Sequence, residues 1–140
     1  TVPAAAATVL VHDAARPLCP GAVVARVVDE VAAGAAAVVP VVPVTDTVRT
    51  VDGEVLDRDR LRAVQTPQGF RRAALDAAHA ADAVATDDAG LMELVGEQVV
   101  TVDGDPVNLK VTGPADLVVA AALLRSGIAG PGAARRDSAP

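Results

Sequence analysis

Aromatic side chains are almost missing: 140 residues contain one Phe and neither Trp nor Tyr. With a single ring to contribute, the core is expected to be built mostly from the Ala, Val and Leu that dominate a 51% hydrophobic composition. Small side chains of this kind let helices pack closely on a sheet. Cysteine is as scarce. The single Cys19 excludes an internal disulfide framework and a Cys-rich zinc site, and fits a reducing, cytoplasmic setting. Positive charge is outweighed, with 12 Lys and Arg against 18 Asp and Glu for a formal net charge of -6. Nucleic-acid binding needs clustered positive charge, so no nucleic-acid partner is expected. No apolar run reaches the roughly 18 residues that span a bilayer, and no basic segment precedes a short apolar one, so neither a membrane span nor an export signal is expected. Missing too are GxSxG, HExxH, a Walker loop and GxGxxG. Histidine occurs only as His12 and His79, too few for a His-based metal site, and lysine only as Lys110.

What is present has the length of one domain and an α/β rhythm. Thr8 to Val11 is a short apolar run suited to a buried strand, and it stops abruptly at His12-Asp13-Ala14-Ala15-Arg16-Pro17. An Asp and an Arg three residues apart at the carboxyl end of a strand lie where open α/β sheets bind ligands, although an exposed ion pair has the same sequence. Gly21 to Ala33 reads as a helix from the spacing of Val24, Val27, Val28 and Val31, closed by Gly34. Ala35 to Val42 is a second buried strand that Pro40 is expected to end early. Strand, helix, strand in that order predicts a parallel pair joined by a right-handed crossover. From Pro43 the alternation weakens around an Asp52-Gly53 turn, and the charged, β-like run that follows predicts a protruding β-arm over about residues 43–70. A lone hairpin is marginal in water, so the arm is expected to carry a dimer contact. Helices follow over Arg71 to Ala83 and from Thr86, the expected N-cap, to about Val95. Strands are expected at Gln98 to Val102 and Asn108 to Thr112, then a helix begun by Pro114 and running through Leu124. Residues 127–140 read as a disordered tail or linker.

Five motifs stand in order: Val11-His12-Asp13-Ala14-Ala15-Arg16-Pro17, Pro43 to Thr47, Thr66-Pro67-Gln68, Thr86-Asp87-Asp88-Ala89, and Asn108-Leu109-Lys110-Val111-Thr112. Together they resemble the 2-C-methyl-D-erythritol 4-phosphate cytidylyltransferase family over roughly residues 7–125. The resemblance implies a Rossmann-like nucleotidyltransferase fold, an α/β three-layer sandwich present in part over residues 1–126, with a β-arm for dimerisation. It implies cytidylyl transfer from CTP to methylerythritol phosphate, with release of pyrophosphate, in non-mevalonate isoprenoid biosynthesis. Two anions must meet in such a reaction, which calls for cations and close placement more than for an acid or a base.

By the same resemblance Lys110 positions the acceptor phosphate, and Arg58 reaches it across a homodimer, so these two are the expected catalytic pair. Asp13 is expected at the nucleotide and at magnesium, directly or through water, with Ala14 beside it in the substrate site. Arg16, Thr47, Thr66 and Thr86 are expected to bind the acceptor. Asp46 and Asp87 are second-rank candidates, since either serves equally well as a cap or turn acid. The Gly-rich basic loop that such enzymes use for CTP phosphates is missing, so the chain is expected to be the later part of a larger domain and inactive alone. The similar ribitol 5-phosphate cytidylyltransferases are the alternative enzyme, against which Ala14-Ala15 speaks. A non-catalytic dimerisation module is the alternative of another class, and such a scaffold would have no physical need for Asp13, Arg16, Arg58 and Lys110.

Overall fold

Two faces of one small sheet are covered by helices, and the alternation of side chains along each strand decides which helix lies where. The computed structural model describes residue 3 and residues 5–81 and 84–129. Most of the expected tail, and the last two residues of the helix expected to reach Ala83, lie outside the described residues. The strands are β1 (Thr8–Val11), β2 (Ala37–Pro43), β3 (Val48–Arg49), β4 (Val55–Leu56), β5 (Arg62–Val64), β6 (Gln68–Arg71) and β7 (Val99–Asp103). The helices are α1 (Gly21–Ala32), α2 (Arg72–Ala80), α3 (Asp88–Leu94) and α4 (Pro114–Arg125).

β2 is the centre. Its Ala37 faces Phe70 of β6 on one side and Val99 of β7 on the other, and its Val41 faces Val64 of β5 and Asp103 of β7. β5 and β6 therefore follow one edge of β2, both antiparallel to it, as a single line interrupted at residues 65–67. β7 takes the other edge in parallel. β1 pairs antiparallel with the far side of β6. The expected β1–β2 pair is thus corrected: the two strands run the same way, but β6 lies between them. β1 is an edge strand here, with Leu10 and Val11 partly exposed.

Pro40 does not end β2 as expected. A strand residue directs its N–H and C=O to the same side, and the Pro40 carbonyl accepts from Gln65 N–H at 2.8 Å. The missing donor therefore faces the interruption between β5 and β6, where no regular ladder is required.

Val27 and Val31 of α1 pack on Val38, with Val100 and Val102 beside them. On the opposite face Phe70, Val9 and Ala37 meet Ala74, Leu75 and Ala78 of α2 and Leu91 and Met92 of α3. This gives three layers, and the only aromatic residue is fully buried between two of them. The helical spacing of α1 is right but its inward stripe is Val23, Val27 and Val31, while Val28 is partly exposed. A third cluster joins α4 through Ala120 and Leu123 to Leu18 and to Val107, Leu109 and Val111.

The arm is shorter than 43–70. β3 and β4 form a separate two-stranded sheet whose turn places Gly53 at φ 92°, a conformation that favours glycine. Residues 62–64 and 68–71 belong instead to the main sheet. Asn108 to Thr112 is not a strand: it lies along α4 as an irregular segment, held by Val111 N–H donating to the Ala15 carbonyl at 2.7 Å.

Candidate active site

The carboxyl ends of β1 and β7 and the interruption before β6 open on the same side of the sheet, because β5 and β6 run against their neighbours. Three loops meet there. The first follows β1: Arg16 N–H donates to the Asp13 carbonyl at 2.9 Å, folding residues 13–16 into a turn that holds Asp13 and Arg16 together. The second is Gln65-Thr66-Pro67. The third is the segment from Asp105 to Lys110.

Asp13 is the hub. Its Oδ2 lies 3.1 Å from Lys110 Nζ and 3.5 Å from Arg16 Nε. The Lys110 hydrogen bond, helped by the charges of Lys110 and Arg16, holds the carboxyl below the ordinary carboxylate range despite some desolvation. Asp13 N–H donates to Thr66 Oγ1 at 3.0 Å. Arg16, mostly buried, donates from one terminal nitrogen to the Asn108 carbonyl at 2.7 Å and from the other to Val64 O at 3.4 Å. The guanidinium thereby ties the first loop to the end of β5 and to the third loop, and its Nε is buried without a hydrogen-bond partner.

Beneath them lies a polar network that sequence reading missed. Asn108 is fully buried, and its Nδ2 donates to the Thr66 carbonyl at 2.8 Å and to Gln65 Oε1 at 3.3 Å. Gln65, also buried, donates to Asp105 O at 2.9 Å and accepts from Asp105 N–H at 3.1 Å. Buried amides of this kind are costly unless paired, and here they fix the height of Thr66 against Lys110. The signal was available in outline: polar residues flanking Thr66 in an otherwise β-like run have no reason to be there unless they are tied inward. Asp116 adds support from α4. It accepts from Thr112 N–H, Thr112 Oγ1 and Gly113 N–H at 2.8, 2.9 and 2.9 Å, and these bonds hold its carboxyl below the usual range.

Asp13, Ala14, Arg16, Thr66 and Lys110 are therefore brought together, with Ala14 exposed in the turn between Asp13 and Arg16. Thr86, Thr47 and Arg58 are not. Thr86 is exposed just before α3, and the helix cap is Asp87, not Thr86: Asp87 Oδ1 accepts from Gly90 N–H at 2.8 Å. The other Asp87 oxygen accepts from buried Gln68 Nε2 at 2.8 Å, and Gln68 Oε1 accepts from Ala89 N–H at 3.3 Å, so the residue two beyond Thr66 fastens the head of α3. Thr47 and Arg58 are exposed on the arm. Arg58 sits in a single 3-10 turn and donates to the Thr45 carbonyl at 2.6 Å. Among the described residues no hydrogen bond or ion pair joins either to the Asp13 cluster.

Fold and cluster together define a class: an α/β domain that concentrates fixed cations around one carboxylate at the carboxyl ends of its strands, the place where open sheets take up nucleotides and phosphates. The family model for 2-C-methyl-D-erythritol 4-phosphate cytidylyltransferase (IspD) matches residues 1–126. The chain belongs to that family. It is 55% identical over 125 residues to the 2-C-methyl-D-erythritol 4-phosphate cytidylyltransferase of Rhodococcus jostii, covering 85% of this chain and 55% of the relative. It is 50% identical over 123 residues to a bifunctional IspD/IspF enzyme of Solidesulfovibrio magneticus, covering 83% and 31%. The crystal structure of the Thermus thermophilus cytidylyltransferase superposes with a TM-score of 0.79 at 44% identity, covering 86% and 63%. The chain thus spans about half the length of the curated relatives it matches.

Proposed function

We propose that this chain supplies the acceptor-binding part of a cytidylyltransferase that joins CTP and 2-C-methyl-D-erythritol 4-phosphate, releasing pyrophosphate. The observation that carries the reading is Lys110, the only lysine, standing 3.1 Å from Asp13 beside Arg16 in a family-matched segment. In the reaction a phosphate-monoester oxygen of the acceptor forms a bond to the α-phosphorus of CTP as the bond to pyrophosphate breaks. No proton need leave the attacking phosphate dianion. The work left to the protein is to hold like charges together and to neutralise the charge that gathers at phosphorus. Lys110, paired with Asp13 before substrate arrives, offers a point charge to the acceptor phosphate. Arg16 contributes its charge while tying the first loop to β5 and to the third loop, and Thr66 offers a hydroxyl.

Magnesium belongs to the same reading. Among the described residues no three His, Cys, Asp or Glu side chains come together as a cage. Asp13 Oδ2 is engaged by Lys110, leaving Oδ1 as a single oxygen ligand. That suits a cation that binds through one carboxylate, substrate phosphates and water; its chemistry would be to offset triphosphate charge.

The exposed arm, with Val51 and Val55 in solvent, supports a homodimer in which Arg58 and Thr47 meet the partner's acceptor site. No helix among the described residues is long and apolar enough to cross a membrane; a cytoplasmic setting is the reading that the single free cysteine fits. The test is a chimera in which residues 1–126 replace the matching segment of the Rhodococcus jostii relative. Pyrophosphate release that requires both CTP and methylerythritol phosphate is expected, and no activity in a folded chimera, or a strong preference for ribitol 5-phosphate, overturns the reading.

A further inference from the structure

The Arg16 guanidinium presents its N–H groups on three nitrogens, and the structure uses them unevenly. One terminal nitrogen donates to the Asn108 carbonyl at 2.7 Å and the other to the Val64 carbonyl at 3.4 Å. Nε is left over. It is buried without a hydrogen-bond partner, although Asp13 Oδ2 stands 3.5 Å away. That is an ion-pair separation, well beyond the roughly 2.7–2.9 Å of a charge-assisted hydrogen bond. A buried donor left unpaired is costly and calls for a reason. The reason here is competition: the same Asp13 oxygen lies 3.1 Å from Lys110 Nζ.

The three side chains differ in how far they can move. Arg16 is only 11% exposed and is tied through both terminal nitrogens to backbone carbonyls, so its Nε cannot travel to Asp13. Lys110 is 48% exposed on a flexible four-carbon stem, and among the described residues its ammonium has no other partner. The Asp13 backbone is fixed, its N–H on Thr66 Oγ1 and its carbonyl on Arg16 N–H. Its carboxylate is not. A rotation about its own side-chain bonds is enough to bring Oδ2 onto Nε.

We propose that Arg16 is a positioning residue that holds Nε–H as a reserve donor: when a phosphate group takes the Lys110 ammonium, the Asp13 carboxylate passes from Lys110 to Arg16 Nε. The proposal rests on the reading of the site as phosphate-binding. An ammonium has three hydrogens and could hold both anions at once, but that arrangement sets a carboxylate beside a phosphate dianion, and like charges so close repel strongly in a partly desolvated site. Transfer to Nε parts them. It leaves Asp13 paired with a cation that is already desolvated and already held in orientation, so little further ordering is needed. Lys110 is thus neutralised while the site is empty and released when a stronger anion arrives.

The 140-residue chain, kept free of divalent cations, serves for the test. The Arg16 Nε–H resonance is identified by its loss in Arg16→Lys and followed by nitrogen–proton NMR, beside the Lys110 Cε resonance, during titration with inorganic phosphate, methylerythritol phosphate and unphosphorylated methylerythritol. With both phosphates Nε–H is expected to move downfield and to exchange with water about tenfold more slowly, the worth of a charge-assisted hydrogen bond. With the alcohol it should stay where it is. Lys110→Ala should produce the same change with no ligand present, because the carboxylate then has no other cation to meet, and Asp13→Ala should abolish it under every condition. A purely structural Arg16 would show none of this. An unmoved Nε–H in Lys110→Ala overturns the reserve donor outright. A phosphate-induced shift at Lys110 with Nε–H unmoved overturns the transfer, and means that the ammonium bridges both anions. No shift at Lys110 with either phosphate overturns the phosphate reading of the site and the transfer with it, while the Lys110→Ala result still decides the reserve donor.

Discussion

Lys110 Nζ stands 3.1 Å from Asp13 Oδ2, joining the last loop of the sheet to the first. Both side chains are more than a third exposed, so the pair itself adds only about 0–1 kcal/mol to stability. Its worth lies in what it holds ready. Lys110→Gln is expected to leave the melting temperature almost unchanged while weakening methylerythritol phosphate binding by about tenfold or more, the range of a lost charge-assisted hydrogen bond. Calorimetric titration alongside thermal unfolding separates the two effects.

The same pair fixes a pH dependence. Asp13 is held below the ordinary carboxylate range, chiefly by the Lys110 hydrogen bond. A lowered folded pKa means that its stabilising contribution is present above the ordinary Asp value and is lost as pH falls through the lowered one. Carboxyl-carbon NMR should therefore show Asp13 titrating below a typical Asp in the wild type and moving up toward it in Lys110→Gln. No movement would mean that Arg16, not Lys110, holds the charge.

Gly69 is where α1 comes closest to the sheet. A Cβ there would run into Val27 Cγ1 and would lie 3.1 Å from Val31 and 3.3 Å from Leu10. Two of these are stiff β-branched side chains in the core, so relief requires α1 to move. Gly69→Ala is expected to cost about 1–3 kcal/mol, as overpacking does, read as a fall in the urea midpoint at unchanged slope. In a core whose only aromatic ring is that of Phe70, this close approach is what brings the valine stripe of α1 onto β2.

What the sequence made legible follows from the range of the interactions involved. Periodicity and caps are local, so α1, α4, the β2 run and the Asp52-Gly53 turn could be read from neighbours in the chain. The place of β6 between β1 and β2 could not, because no local pattern states that a strand some sixty positions later will pair with both (Val9 with Phe70, Ala37 with Phe70). Pro40 misled for a similar reason: its cost depends on which neighbour lies opposite. The charged residues Asp13, Arg16 and Lys110 were picked out by the family motifs that contain them, since by themselves an Asp and an Arg three residues apart read equally well as an exposed ion pair. The amides beneath them were not, since a buried Asn108 and an exposed one look alike until the fold closes over them.

Gln68 shows what those amides do. Both ends of its side chain are used, one by Asp87 and the other by Ala89 N–H, and the residue is buried. Gln68→Ala leaves the Ala89 donor without a partner and is expected to cost about 1–3 kcal/mol. The loss should be uneven. Amide hydrogen exchange is expected to accelerate over Asp88–Leu94 while β2 and β7 stay protected, because the deleted bonds fasten α3 and not the sheet. Uniform acceleration would mean that Gln68 serves the whole fold instead.

Arg58 and Lys110 offer the sharpest test of the arm. Arg58 donates to Thr45 within its own arm and touches nothing in the Asp13 cluster among the described residues, so within one protomer it has no route to the acceptor shown by any contact. If the arm crosses to a partner, each site takes Lys110 from one chain and Arg58 from the other. Chimeric dimers that are all Arg58→Ala or all Lys110→Ala should then be nearly inactive, because every site lacks one cation. In a mixed dimer one site lacks both and the other has both, so each heterodimer isolated after mixing and re-association should show about half of the wild-type activity. Sites completed within a single chain give no such recovery: every site in the mixed dimer still lacks one cation. Pyrophosphate release by heterodimers isolated with two different affinity tags distinguishes the arrangements, since a recovered rate cannot arise from either homodimer.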